Sequence, residues 1–343
     1  MTQTDTRKSV LIVGAGGFIG GFIAAEALRR GYDTYVAVRE STSRRYLTDP
    51  ALKFVVIDYD NPDTMGTTLR DAAPSGRPWT YIIYNLGATK CMRFSDFNRI
   101  NYEYLRDFVS ALEDEELVPE KFLYMSSLSA LGPYAEADYA PADASTLPHP
   151  NTRYGLSKIK AETFLQTKTS FPWVIFRPTG VYGPHEKDYL MMVKCIDRHF
   201  DFGVGYRRQV LTFIYVSDLV GAMFDALESP PTMHRKYIIS EPKAYTQKEF
   251  RAIVAKALGR RFVVPVKLPM WAVYIASVIA EKVSALSLKT STLNRDKFKI
   301  MRQRNWTCSV DDAVRDFGFR CEYPLERGVE ETVKAYLEGK KSH

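Results

Sequence analysis

Cysteine is scarce in this chain. Four residues, Cys91, Cys195, Cys308 and Cys321, are spread over 343 positions with no CxxC pair and no histidine at ligand spacing. That excludes a disulfide framework and a zinc site, and reads as reduced thiols in the cytosol. Long apolar runs are missing too. The uncharged apolar run Leu268–Ala280 is shorter than the roughly 18 to 20 residues a spanning helix needs, and Met1–Lys8 is polar where a signal peptide would be apolar. No transmembrane segment and a cytoplasmic location are therefore expected. Nor does one sign of charge dominate: 47 basic against 40 acidic residues leave +7, with no concentrated block of the kind a nucleic-acid footprint requires. Internal repeats and low-complexity segments are absent.

What is present is the composition of a folded soluble protein, 45% hydrophobic and 25% charged. Short β-branched runs at Val10–Val13, Thr34–Val38, Phe54–Ile57, Tyr81–Tyr84, Phe122–Met125 and Trp173–Phe176 alternate with stretches of helical period at Phe18–Arg30, Asn98–Leu112 and Arg153–Thr167. This alternation predicts an α/β fold, a Rossmann doubly wound parallel sheet. Beyond Gly183 helical pieces dominate, with a capping box at Thr246 and Glu249 and a second helix start at Ser309 and Asp312. Tyr134–Pro150, rich in proline, reads as a loop.

The first strand runs into Gly14-Ala15-Gly16-Gly17-Phe18-Ile19-Gly20 at the mouth of a helix. Glycines there let a cofactor pyrophosphate approach backbone N–H groups and the positive end of the helix dipole. The second strand ends at Val38-Arg39, followed by Arg44 and Arg45, where an NAD-binding chain would place an acid on the ribose hydroxyls. Guanidinium groups at that place pair with a 2′-phosphate, so NADP(H) is favoured over NAD(H); NAD(H) stays open through Glu40. Tyr154 and Lys158 stand one helical turn apart on one face, a phenol beside an ammonium that can stabilise its ionised form. The fifth strand ends in Ser126-Ser127-Leu128-Ser129, where a hydroxyl can hold a carbonyl oxygen beside that phenol.

The GxxGxxG spacing, the YxxxK pair and the strand-borne serine together resemble the extended short-chain dehydrogenase/reductase superfamily, of the NAD-dependent epimerase/dehydratase type, over about residues 9–336. The resemblance implies Ser127, Tyr154 and Lys158 as the catalytic set. It implies cofactor contacts from Gly14, Gly16, Gly17, Phe18, Ile19, Gly20, Arg39, Arg44, Asp58, Tyr59, Leu86, Gly87, Ala88, Asn101, Tyr154, Lys158, Pro178 and Val181, and substrate contacts from Ser129 and Tyr182. It further implies a nucleotide domain over 1–180 with 210–240 returning to it, and a smaller, mainly helical C-terminal substrate lobe from 181–209 and 241–343.

Departures from the pattern choose within the superfamily. Sugar-nucleotide dehydratases carry an Asp-Glu pair where Leu128 and Ser129 stand, and epimerases carry Asn and Arg where this chain has Gly180 and Leu211. The run Arg177-Pro178-Thr179-Gly180-Val181-Tyr182-Gly183-Pro184 is instead similar to 3β-hydroxysteroid dehydrogenase and dihydroflavonol reductase relatives. The expected activity is therefore interconversion of a ketone and a secondary alcohol on a hydrophobic or partly hydrophobic small molecule. The alternatives are a sugar-nucleotide epimerase with retained NAD, or a non-catalytic cofactor-binding subunit. Leu268–Leu288 is read either as a roof over such a substrate or as a packed helix. The basic segment 289–304 is read as a contact for a phosphate, a thioester carrier or an anionic membrane, or as a solvated face. A homodimer through helices of the sheet layer is a further expectation, and no metal is expected.

Overall fold

The computed structural model describes residues 7–91, 93–287 and 293–341, with the side chains of Phe94, residues 284–287 and Lys341 excepted. Leu288 and Lys289, which end and begin the expected apolar and basic segments, lie outside the described residues.

Strand β1 (Ser9–Val13), helix α1 (Phe18–Arg29), β2 (Asp33–Val38), β3 (Lys53–Val56), α2 (Pro62–Ala72) and β4 (Tyr81–Tyr84) form the first half of the molecule. After it come α3 (Phe94–Asn98), α4 (Tyr104–Asp114), β5 (Lys121–Met125), α5 (Arg153–Thr167), β6 (Trp173–Pro178) and β7 (Gly180–Tyr182). The remainder is α6 (Asp188–Asp197), β8 (Phe200–Val204), β9 (Val210–Leu211), β10 (Phe213–Tyr215), α7 (Val216–Glu228), β11 (Arg235–Ile239), β12 (Tyr245–Thr246), α8 (Gln247–Ala257), β13 (Val264–Leu268), α9 (Met270–Ser287), α10 (Arg295–Arg302), α11 (Asp311–Phe317) and α12 (Leu325–Lys341).

Seven strands make one parallel sheet in the order β11-β6-β5-β4-β1-β2-β3. Every residue of β1, β4, β5 and β6 is buried, because helices cover both faces of the sheet, and so these strands read as continuous apolar runs rather than alternating ones. The strand order reverses between β1 and β4, which opens a crevice at their carboxyl ends. Both the glycine turn and Asn85–Ala88 empty into it.

Helix formation around the site departs from simple period in one place. The expected helix 98–112 begins earlier, at Phe94, and passes through a π-helical turn at Arg99–Glu103 before α4. Two elements of the sheet layers, α2 and β11, carry no signal that singles them out: α2 is rich in threonine and has a glycine at position 66, both weak helix formers.

The lobe has an aromatic and aliphatic core of its own around Tyr182, Val193, Phe213, Tyr245, Phe250 and Leu325. The Thr246 and Glu249 capping box forms as expected. Helix α11 instead starts at Asp311 with Val310 at the cap position, and Ser309 Oγ accepts from the Asp311 N–H at 3.1 Å. The expected division of the chain is also corrected: Val310, Ala313 and Phe319 join the core on one face of the main sheet, and Phe317 stacks on Phe176 at 6.0 Å. These side chains cover β6 and β11 on that face.

Candidate active site

The glycines of the first turn do different work. Gly14 has φ +85°, and a Cβ there would stand 2.7 Å from the Leu86 amide nitrogen, so it allows the β1 and β4 turns to touch. A Cβ on Gly16 would meet the Thr42 methyl at 2.2 Å, and one on Gly20 would meet the Gly14 carbonyl oxygen at 2.4 Å. Gly17 is exposed at the cap of α1, and nothing lies closer to its Cβ position than the Gly14 oxygen at 3.6 Å. Three glycines thus pack the protein against itself, while Gly17 leaves the helix N-terminus open to an anion. Phe18 and Ile19 turn partly into the core, so their backbone faces the crevice.

Helix α5 starts where Thr152 Oγ1 accepts from the Gly155 N–H at 3.0 Å. A Cβ on Gly155 would lie 2.3 Å from the Ser129 carbonyl oxygen, so the glycine brings the first turn of α5 hard against the turn after β5. That contact delivers Tyr154 to Ser127. The Ser127 Oγ accepts from the Ser129 N–H at 3.2 Å and stands near enough to the Tyr154 phenol to act on it. Burial pushes the phenol up to about 12, and the Ser127 hydroxyl pulls it part of the way back. One turn on, Lys158 Nζ donates to the Met125 carbonyl at 2.7 Å and lies 6.0 Å from the centre of the Tyr154 ring. Its burial lowers the ammonium to about 7, against the opposing pull of Glu162.

Two buried groups support this set: Glu162, which sequence reasoning did not assign, and Asn101, expected there as a cofactor contact. Glu162, one turn beyond Lys158 on α5, is bound by Arg177 of β6 at 2.6 Å and accepts from the Ser126 hydroxyl, all three side chains being out of water. The only hint in the sequence is an acid at i+4 from the lysine. Asn101 sits in the π-helical turn and is fully buried; its Oδ1 accepts from the Ala88 N–H at 2.7 Å, and its Nδ2 donates to the Ala88 carbonyl at 3.0 Å and to Ser157 Oγ at 2.8 Å. It therefore ties the β4 turn to α5, acting through its neighbours. A Cβ on Gly87 would stand 3.0 Å from Lys158 Nζ, so the bare backbone of Leu86-Gly87-Ala88 forms one wall above the lysine.

At the other end of the crevice, Arg39 is exposed and its N–H donates to Thr42 Oγ1 at 3.0 Å. It follows directly on β2 at the carboxyl end of that strand, and its charge opposes the upward push of burial on the Tyr59 and Tyr104 phenols. Arg44 lies over the Phe54 ring at 4.4 Å and Arg45 over Tyr46 at 4.3 Å. Of the expected pair, Asp58 is exposed and accepts from the Asp60 N–H at 3.0 Å, whereas Tyr59 turns inward and packs on Tyr104 at 5.5 Å. Only the backbone of Tyr59 is left for a ring, because its side chain fills the core.

The substrate side needs one correction. Tyr182 packs among Tyr189, Phe213 and Tyr215 with its side chain buried, so it belongs to the lobe's core and not to a substrate surface. Ser129 is half-buried beside Ser127, Pro178 is buried at the end of β6, and Val181 is half-buried in β7 against the core of the main sheet. A Cβ on Gly180 would fall 1.8 Å from the Tyr189 hydroxyl, so a phenol from α6 already fills the space where a larger residue at 180 would project.

Residues 10–240 match the NAD dependent epimerase/dehydratase family. Ceramide reductase of Caulobacter vibrioides is 23% identical over 337 residues, covering 97% of this chain and 96% of that protein. Among solved structures, UDP-glucose 4-epimerase of Thermotoga maritima with UDP-glucose superposes with a TM-score of 0.76 at 17% identity, over 97% of this chain and 99% of that one. The UDP-glucose 4-epimerase of Thermus thermophilus in complex with NAD gives 0.73 at 18%, over 96% and 99%.

Proposed function

The chain belongs to the NAD dependent epimerase/dehydratase family, and from that premise we propose an NADP(H)-dependent oxidoreductase that interconverts a ketone and a secondary alcohol on a hydrophobic or partly hydrophobic small molecule. The open N-terminus of α1 at Gly17 and the bare Gly87 wall fit a dinucleotide. Phe18, Ile19, Gly14, Gly16 and Gly20 shape its pyrophosphate cradle, Arg39 faces its adenosine end, and Leu86, Ala88, Pro178 and Val181 border the nicotinamide end. When bound, the cofactor supplies or accepts the hydride.

The chain's own groups handle the proton. Tyr154, held at about 12 by burial, keeps its proton at neutral pH and is poised to give it to a developing alkoxide. Ser127 orients the carbonyl oxygen against that phenol. Lys158, where protonated, stabilises the phenolate that donation leaves behind.

The observation that carries this reading over a sugar-nucleotide epimerase is the filled space at Gly180, with Leu211 paired to Tyr245 in β9 and β12 where a cationic side chain would serve a diphosphate. The ceramide reductase likeness favours a substrate with a long apolar part. Tyr154→Phe is expected to abolish turnover of ketone substrates with NADPH while leaving NADPH affinity within about twofold of wild type. An active Phe variant would remove Tyr154 from the chemistry, and tightly held NAD in the purified protein would favour the epimerase.

A further inference from the structure

Helix α9 carries an apolar stripe on the wrong side. Trp271, Ile275, Ile279 and Val283 recur every fourth residue and are 69%, 49%, 56% and 57% exposed, while the opposite face, with Val273 and Ser277, is the buried one. An amphipathic helix of a globular protein turns its apolar stripe inward. Here the inward face meets only a small cluster of Val204, Val273 and Phe298, with Met270, Leu293 and Met301 around it. The β8 and β13 ribbon, whose second strand leads into α9, is exposed and apolar too: Phe200 and Phe202 stack at 6.2 Å and Val264 is in register with Phe200, all three exposed. The other face of that ribbon is the polar, packed one: Asp201 is buried and bound by Gln247 and Arg251 of α8.

Charge marks one edge of the stripe. Tyr274 and Glu281 form that edge and touch Phe298 and Arg295 of α10, which brings Arg295, Lys299 and Arg302 alongside. Lys282 stands within the stripe itself. Among the described residues no carboxylate pairs with Lys282, Lys299 or Arg302. An exposed apolar helix face rimmed by unneutralised cations, with an exposed tryptophan at the start of its helix, has the chemistry of a helix lying in a lipid interface. No helix among the described residues is long and apolar enough to cross a membrane, so the contact is with one leaflet.

We propose that α9, with the outer face of the β8 and β13 ribbon, docks the protein on a bilayer that carries anionic headgroups: Trp271, Ile275, Ile279 and Val283 enter the acyl boundary, and Lys282, Lys299 and Arg302 meet the phosphates. A second copy of this chain is the competing occupant, and the cations disfavour it, since a two-fold contact would bring like charges together. The inference does not depend on the reaction proposed above.

The full-length protein is tested for co-sedimentation with vesicles of phosphatidylcholine alone and of phosphatidylcholine mixed with phosphatidylglycerol. Binding is expected to the mixed vesicles, to weaken on raising the salt, and to fall by about tenfold or more in Ile275→Glu/Ile279→Glu. Both substitutions lie at exposed positions, so the melting temperature and NADPH affinity stay at wild-type values. Trp79 and Trp173 are buried and Trp306 is half-buried, so a blue shift of tryptophan emission on vesicle addition is expected to vanish in Trp271→Phe. Absence of binding to anionic vesicles overturns the proposal. So does a wild-type dimer, seen by light scattering, that the double variant splits while vesicle binding stays unchanged.

Discussion

Lys158 shows how one residue can be costly to the fold and useful to the site. An unfolded lysine titrates near 10.5, whereas burial holds this one at about 7. Between those values the unfolded chain binds more protons than the folded one, so stability rises with pH from about 7 to about 10 and declines as pH falls back toward 7. Thermal melts of the cofactor-free protein across that window should show the rise, and Lys158→Met, which cannot be protonated, should flatten it while abolishing activity. Identical slopes for the two proteins would deny the amine its buried, neutral state. We propose that Arg39 sets cofactor choice. With Val38 in place of an acid and a guanidinium over the adenosine end, a preference for NADPH of about tenfold to a hundredfold is expected, since each charge-assisted bond contributes roughly 1.5 to 3 kcal/mol. Arg39→Ala should weaken NADPH far more than NADH in fluorescence titrations; equal losses would return the role to Glu40.

At the scale of elements, the site is a set of strand ends and helix starts pulled together by buried polar bonds. The Glu162–Arg177 pair joins α5 to β6, and no water reaches either group. Removing one charge strands the other in a medium that cannot solvate it. Glu162→Gln should therefore lower unfolding stability by about 3 to 5 kcal/mol in urea, and the joint replacement of both by apolar residues should recover most of it. A single-variant loss below about 1 kcal/mol would mean water reaches the pair. Asn101 lies in the π-helical turn at Arg99–Glu103, and from there it bonds both Ala88 and Ser157; such turns recur at functional sites.

Across the whole molecule, the last part of the chain closes the first. Phe319 is buried in the core of the main sheet, beside Val310 and Ala313, although it lies beyond most of the lobe in sequence. Phe319→Ala should cost about 3 to 5 kcal/mol, and the loss should appear as one cooperative transition followed equally by NADPH binding and by circular dichroism. Two separated transitions would show the lobe and the sheet to be independent units.

What the sequence alone determined is whatever short-range rules encode. Five of the six apolar runs announced a parallel sheet because strands covered on both faces cannot alternate, the sixth being the partly exposed edge strand β3, and Gly14–Gly20, Ser127, Tyr154 and Lys158 are each fixed to a strand end or helix turn by local geometry. The place of Arg39 just after β2 was legible for the same reason. Tertiary structure decided the rest, because those outcomes depend on which distant residues share a space. Tyr182 went to the lobe's core because Tyr189, Phe213 and Tyr215 surround it, and Tyr59 turned from the crevice to pack on Tyr104. Glu162 gained its role only when β6 brought Arg177 beside it. No local pattern could say that the stripe on α9 faces out, since a period of 3.6 reports that a helix has two faces and not which one the molecule covers.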